Sequence, residues 1–249
     1  MIDVLVTRRW NAAVDVIALE LAAADGGPLP AFEAGAYVDV LTPGGHLRPY
    51  SLCGTPGERC GVYRIAVLRE RHGRGGSNDL HDHARVGTRL RLHPPRNAFP
   101  LVLPAVHTLL LGGGIGVTPL LPMAETLWRR GTPFELHHVA RNADRAVFHA
   151  DLLRQPHAGR LRFHWTEGAG RPDLASILQR APHLSQVYAC GPAPFMAAAV
   201  AAFVAARRPA MHLHVESFGP PVSLTRAAPS GRGATPGSAP ASPSRPRTR

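Results

Sequence analysis

Lysine does not occur in this chain: all 28 of its basic residues are arginine. Cysteine is almost as scarce, and the three present (Cys53, Cys60 and Cys190) cannot build the disulfide framework of a small secreted domain. Long apolar runs are missing too. The longest, FMAAAVAAFVAA at 195–206, falls short of the roughly 18 residues that a membrane span requires. The opening MIDVLVTRRW alternates like a strand and does not read as a signal peptide. No membrane partner is therefore expected, and the cytoplasm is the expected location. The formal net charge of +11 suggests nucleic acid, yet five arginines fall within residues 219–249, which hold no acid, leaving +6 for residues 1–218. Without a basic helix or an arginine–aromatic interleave, no nucleic-acid partner is expected. Metal-site spacing is also lacking. HDH at 81–83 and HH at 137–138 come without HExxH or C-x2-C, and His137 and His138 point to opposite faces of one strand.

What is present falls into two rhythms. Residues 1–100 carry strand-like runs at 2–8, 12–21, 36–41, 47–53, 62–69 and 88–93, separated by turn clusters such as TPGG. This spacing predicts a small antiparallel β-barrel. PPRNAFPL at 94–101 breaks the pattern and reads as a linker. Over 101–218, strands at 107–111, 134–139, 161–165, 186–190 and 211–215 alternate with helices at 118–130, 144–154, 172–180 and 193–207. That alternation predicts an α/β domain on a parallel five-stranded sheet. Ligands of such sheets bind outside the carboxyl ends of the strands, here after 111, 139 and 190. Residues 219–249, rich in Pro, Ser, Gly, Ala and Arg, are expected to be disordered.

The turn GGGIGVTP at 112–119 does not match the dinucleotide fingerprint G-x-G-x-x-G. From Gly114 and Gly116 the third glycine falls on Pro119, and from Gly112 it falls on Val117. Thr118 is placed as a helix N-cap with Pro119 at the first helical position. Gly112 to Gly116 would let backbone approach a phosphate, although a ligand-free βα connection has the same appearance. Cys190, Gly191 and Pro192 would lie beside this turn, with the Cys190 sulfur either facing a ligand or buried as a small apolar group. RPYS at 48–51 offers an arginine, a ring and a hydroxyl to a flat, charged ligand, or is an ordinary strand end. Glu216 could exchange protons near such a ligand, or be a surface or capping carboxylate.

Six segments occur in the order RPYSL (48–52), YRIAVLRE (63–70), GRGGSNDL (73–80), GGGIGVTPLL (112–121), YACGP (188–192) and HVESFG (214–219). Together they closely resemble the ferredoxin–NADP reductase superfamily, and within it the phthalate dioxygenase reductase and vanillate demethylase reductase group. The resemblance implies a flavin-binding barrel followed by a nicotinamide-binding α/β domain of a non-Rossmann type. It implies flavin contacts from Arg48, Tyr50, Ser51 and Leu52, backbone contacts from Ala66 and Val67, and a phosphate held by Arg48 with Gly75, Gly76 and Ser77. It also implies that Gly114, Gly116, Thr118 and Pro119 line the pyrophosphate, Arg141 meets the adenosine end, and Cys190, Gly191 and Pro192 lie near the nicotinamide. Ser51, Cys190 and Phe218 would stand closest to the reacting rings. FMN is expected in preference to FAD, and NADH in preference to NADPH, because the subgroup uses them.

The family's third domain carries a [2Fe–2S] cluster on C-x4-C-x2-C…C, and no cysteine follows Cys190 here. No iron–sulfur cluster is expected in this chain, so electrons would pass to a separate ferredoxin or oxygenase component. Resemblance stops near Gly219, which suggests a truncated or frameshifted reductase. A non-catalytic flavin-binding remnant and a free-flavin reductase are the alternative readings.

Overall fold

Valines and leucines at every second position give the N-terminal half one dry face per strand. The computed structural model describes residues 1–57 and 61–218, so Cys60 and the tail expected to be disordered lie outside the described residues. Strands β1 (Ile2–Ala13), β2 (Val16–Ala23), β3 (Ala36–Leu41), β4 (Leu47–Ser51), β5 (Tyr63–Leu68), β6 (Arg89–Leu92) and the short β7 (Arg96–Asn97) form one antiparallel sheet. Its order is β4-β3-β6-β1-β2-β5, and a Leu52–Ile65 bridge joins its two ends into a barrel. Val4, Val6, Ile17, Leu19, Val38, Val40, Ile65 and Val67 fill the interior, each contributing about 2 kcal/mol by burial. Tyr63, fully buried, donates its hydroxyl proton to the Pro30 carbonyl and meets Phe32 edge-on at 5.8 Å.

Two expectations change here. β1 continues through Ala13 because Trp10, Ala12 and Ala13 pack against the second half of the molecule. The turn Val14–Asp15, with Asp15 at φ 61°, carries none of the usual Gly or Asn markers. Within 94–101, Arg96–Asn97 pairs with Ala36–Tyr37 of the barrel while buried Phe99 meets Tyr188 of the second half at 5.3 Å, so this stretch packs on both halves more than a linker would.

The second half is a parallel sheet of β8 (Thr108–Gly113), β9 (Phe134–Ala140), β10 (Leu161–Trp165), β11 (Gln186–Cys190) and β12 (Leu213–Glu216). Its order is β10-β9-β8-β11-β12, so the winding reverses between β8 and β11. β8 is buried along its whole length, as a central parallel strand must be. Leu110 faces α2 (Leu120–Arg129), whereas Leu109 and Leu111 face α4 (Leu174–Arg180) and α5 (Ala193–Ala205). Arg208, nearly buried, caps the end of α4 by donating to the carbonyls of Leu178, Ala181, Pro182 and His183.

The continuous helix expected at 144–154 does not form. A 3-10 turn (Ala143–Arg145) and the short α3 (His149–Leu153) flank Phe148, which adopts φ 59°. Its N–H donates to the Ala12 carbonyl and its ring lies 6.3 Å from Trp10, so contact with the barrel overrides helix propensity. Val14 N–H also donates to the Asp144 carbonyl, and Asp15 bridges Arg71 and Arg145. No described helix is long and apolar enough to cross a membrane.

Candidate functional site

In the barrel the nominated residues gather where β4 and β5 meet α1 (Gly76–His83). Arg48 and Tyr50 alternate onto one face of β4. The Arg48 guanidinium donates to the Leu47 and Arg74 carbonyls at 2.8 Å, and its stem crosses the start of α1. A methyl group at Gly76 would come within 2.6 Å of that stem. A methyl group at Gly75, which is at φ 86°, would stand 2.9 Å from the ring of His46, a residue that sequence reasoning passed over. The Ser77 hydroxyl oxygen accepts from Glu70 N–H at 3.1 Å, leaving its own proton to donate. Half-buried Tyr50 has its phenol pushed up to about 12 by burial, so it stays neutral. Ser51, Leu52, Ala66 and Val67 are buried. An arginine thus lies against the start of a helix that carries a serine hydroxyl, with an aromatic ring two residues, about 7 Å, along the strand. This donor set fits the phosphate and ring of a flavin nucleotide.

In the α/β half, the turns after β8 and β11 touch at the winding reversal. A methyl group at Gly116 would overlap the Cys190 carbonyl and stand 2.6 Å from Gly191 N. One at Gly191 would stand 2.7 Å from the Phe195 ring, and one at Gly113 would stand 2.9 Å from it. These glycines are therefore demanded by turn-on-turn packing. Gly114 differs: it has open space around it and needs its freedom for φ 55°. Gly116, Thr118, Pro119 and Gly191 are buried, so the accessible parts are Gly114, Ile115 and Pro192. Ile115 was not among the expected residues; only its place at the tip of the turn distinguishes it.

Thr118 is no side-chain N-cap. Gly114–Val117 form a 3-10 turn, Thr118 is itself helical, and its hydroxyl donates back to the Ile115 carbonyl at 2.9 Å. Pro119 precedes Leu120, the first residue of α2. Nor does the Cys190 sulfur face outward. The residue is fully enclosed, and burial pushes its thiol upward, with Glu216 adding to the effect, so the sulfur is neutral packing.

Glu216 lies level with Cys190 across the β11–β12 pairing. One of its oxygens is buried without a hydrogen-bond partner, and burial raises its carboxyl to about 7. Phe218 follows, about half exposed (51%). At the other end of the carboxyl edge, exposed Arg141 accepts from Glu167 N–H at 2.9 Å through its carbonyl, and Asn142 donates to the Glu167 carboxylate at 2.5 Å. The barrel and sheet sites share one apolar cluster: Ala66 and Cys53 on the barrel, Val117 and Cys190 beneath the two turns.

No family model matches the chain. A vanillate O-demethylase oxidoreductase from Pseudomonas sp. (strain HR199 / DSM 7063) is 44% identical over 198 residues, which are 79% of this chain and 62% of that protein. The chain thus spans about three fifths of such relatives. A tetrachlorobenzoquinone reductase from Sphingobium chlorophenolicum is 39% identical over 222 residues, covering 88% of this chain and 68% of the relative. The solved phthalate dioxygenase reductase, described as a modular structure for electron transfer from pyridine nucleotides to [2Fe–2S], superposes with a TM-score of 0.83 at 33% identity. That superposition covers 90% of this chain and 70% of the other. Sequence, barrel, sheet order and paired turns agree: the chain belongs to the phthalate dioxygenase reductase and vanillate demethylase reductase group of the ferredoxin–NADP reductase superfamily.

Proposed function

We propose that this protein is the reductase component of an aromatic-ring oxygenase or demethylase system. It would move hydride from NADH to FMN on the barrel and pass electrons to a [2Fe–2S] ferredoxin or oxygenase component on another polypeptide. The observation that carries this reading is the apolar cluster joining Ala66 and Cys53 to Val117 and Cys190. On this reading the ring-binding edge of each half borders a common dry seam, where two stacked rings would be aligned and shielded from water.

Bound flavin supplies the conversion of a two-electron hydride into single electrons. The chain's own residues do the rest. Arg48, the start of α1 and Ser77 neutralise and fix the FMN phosphate. Tyr50 packs on the ring, with Ser51 and Leu52 at its edge and the Ala66 and Val67 backbone at its pyrimidine end. Gly114 and Ile115 meet the dinucleotide phosphates, and buried Gly116, Thr118 and Pro119 support them from below. Gly191 and Pro192 border the nicotinamide, with the neutral Cys190 side chain behind them. Phe218 shields the flavin face. NADH is favoured over NADPH because Glu167, beside Arg141, can accept from a ribose 2′-hydroxyl and repels a 2′-phosphate.

The test is an anaerobic mixture of FMN-loaded protein with NADH or NADPH, followed by flavin absorbance. We expect bleaching at least tenfold faster with NADH. Retained flavin that neither nucleotide bleaches would overturn the reading.

A further inference from the structure

Beneath the glycine turn lies a buried histidine. His138 is in β9, fully buried, level with Gly112 in the strand pairing. Its Nε2 stands 3.2 Å from the Gly114 carbonyl oxygen, and its Nδ1 has no hydrogen-bond partner. A carbonyl can only accept, so Nε2 carries the proton and Nδ1 is the bare lone pair. Burial agrees, pushing the imidazole down to about 4 and keeping it neutral. The ring is held by Phe163 at 5.9 Å, which His149 meets edge-on at 4.7 Å.

The partner of this bond matters. Gly114 is at φ 55°, is partly accessible and has no neighbour within 4 Å of its missing side chain, so its packing does not dictate its orientation. In a trans peptide the C=O of one residue and the N–H of the next point in opposite directions. Drawing the Gly114 carbonyl down to His138 therefore turns the Ile115 N–H toward the open side of the turn.

We infer that His138 is the positioning residue of the dinucleotide turn, holding the Gly114–Ile115 peptide so that the Ile115 amide meets the pyrophosphate of NADH. This rests on the proposed dinucleotide reading. The 3-10 turn that begins at Gly114 sets this peptide only from within the loop, and a loop that loosens would present a carbonyl to the phosphate as readily as an amide. The histidine underneath removes that choice before the ligand arrives.

The experiment compares His138→Met, which keeps bulk but cannot donate, with His138→Gln, whose amide reaches about as far as Nε2. Each is loaded with FMN, and its flavin content is measured. KM and kcat for NADH are read with ferricyanide as acceptor, and NAD+ binding is measured by calorimetry. We expect H138M to raise KM and the NAD+ dissociation constant about tenfold. Its kcat at saturation should stay within about twofold and its flavin content should not change. H138Q should restore KM to within about threefold of wild type. Equal impairment of both variants, or none in either, overturns the inference. Nitrogen NMR of the wild-type imidazole gives a second reading that needs no variant: protonation on Nδ1 instead of Nε2 also overturns it. If wild-type protein fails to bind NAD+ or NADH, the dinucleotide reading falls and takes this inference with it. Binding that H138M leaves intact removes this inference alone.

Discussion

On the proposed reading the barrel and the parallel sheet each hold a phosphate, and they build the place for it from opposite materials. The barrel uses side chains: an arginine laid across the start of a helix, a serine hydroxyl and a tyrosine ring on the same strand face. The sheet uses backbone, since residues 112–119 contain no charged side chain and their glycines exist largely so that two turns can touch. The first should fail by subtraction, when a functional group is removed. The second should fail by addition, when a single methyl is inserted.

The strongest test of that contrast is Gly116→Ala. Its methyl overlaps the Cys190 carbonyl, and neither backbone has room to yield. We expect a stability loss of about 3 kcal/mol in denaturant unfolding and NADH-dependent flavin bleaching slowed by about 100-fold or more. Gly114→Ala, two residues away in open space, should cost only about 1–2 kcal/mol through its positive φ. Equal costs at the two positions would mean that packing of the turns is not what selects glycine.

Arg48→Ala sharpens the other side. Loss of a charge-assisted contact should weaken FMN retention about 30-fold, measured as flavin per protein after gel filtration. Stability without flavin should change by less than about 1 kcal/mol, because the guanidinium is only half-buried. An Arg48→Ala variant that unfolds would erase the distinction.

The smallest effect is expected at Glu216, at the end of β12 level with Cys190. Its carboxyl is raised to about 7 in the folded chain, above its ordinary value near 4.5. Folding therefore favours the protonated form, and this contribution to stability is present at low pH and is lost as pH rises toward 7. Glu216→Gln should flatten that slope in unfolding curves between pH 4.5 and 7. Above pH 7 it should be the more stable protein by about 1–2 kcal/mol, allowing for partial exposure. An unchanged slope would show that water reaches the carboxylate.

The strands could be located from sequence because alternation is a local signal. β3, β10 and β11 fall at the expected positions and most others within a few residues, whereas β1 runs five residues further than expected and β7 was not expected. The failures share one cause. Phe148 breaks the expected helix through a bond to Ala12, Gly116 is glycine because of Cys190, and His138 answers to Gly114. Each depends on a partner between 24 and 136 positions away, beyond what periodicity or spacing can register. Thr118 and Pro119 carried the local grammar of a helix start, yet the 3-10 turn before them shifted it. The six-motif order conveyed the family because it is a pattern of residues. It could not say which members of each motif reach the surface.

The hairpin at Val14–Asp15 sets a condition for anyone recombining such proteins. Its backbone is bonded to residues 144 and 148, and Asp15 is shared between Arg71 and Arg145. A chimaera that joined this nucleotide-binding half to a foreign barrel at residue 101 would leave behind the strand end that shapes the loop after β9. Modules that look interchangeable along the chain are stitched together at a second point. A working graft would have to carry residues 10–15 with it.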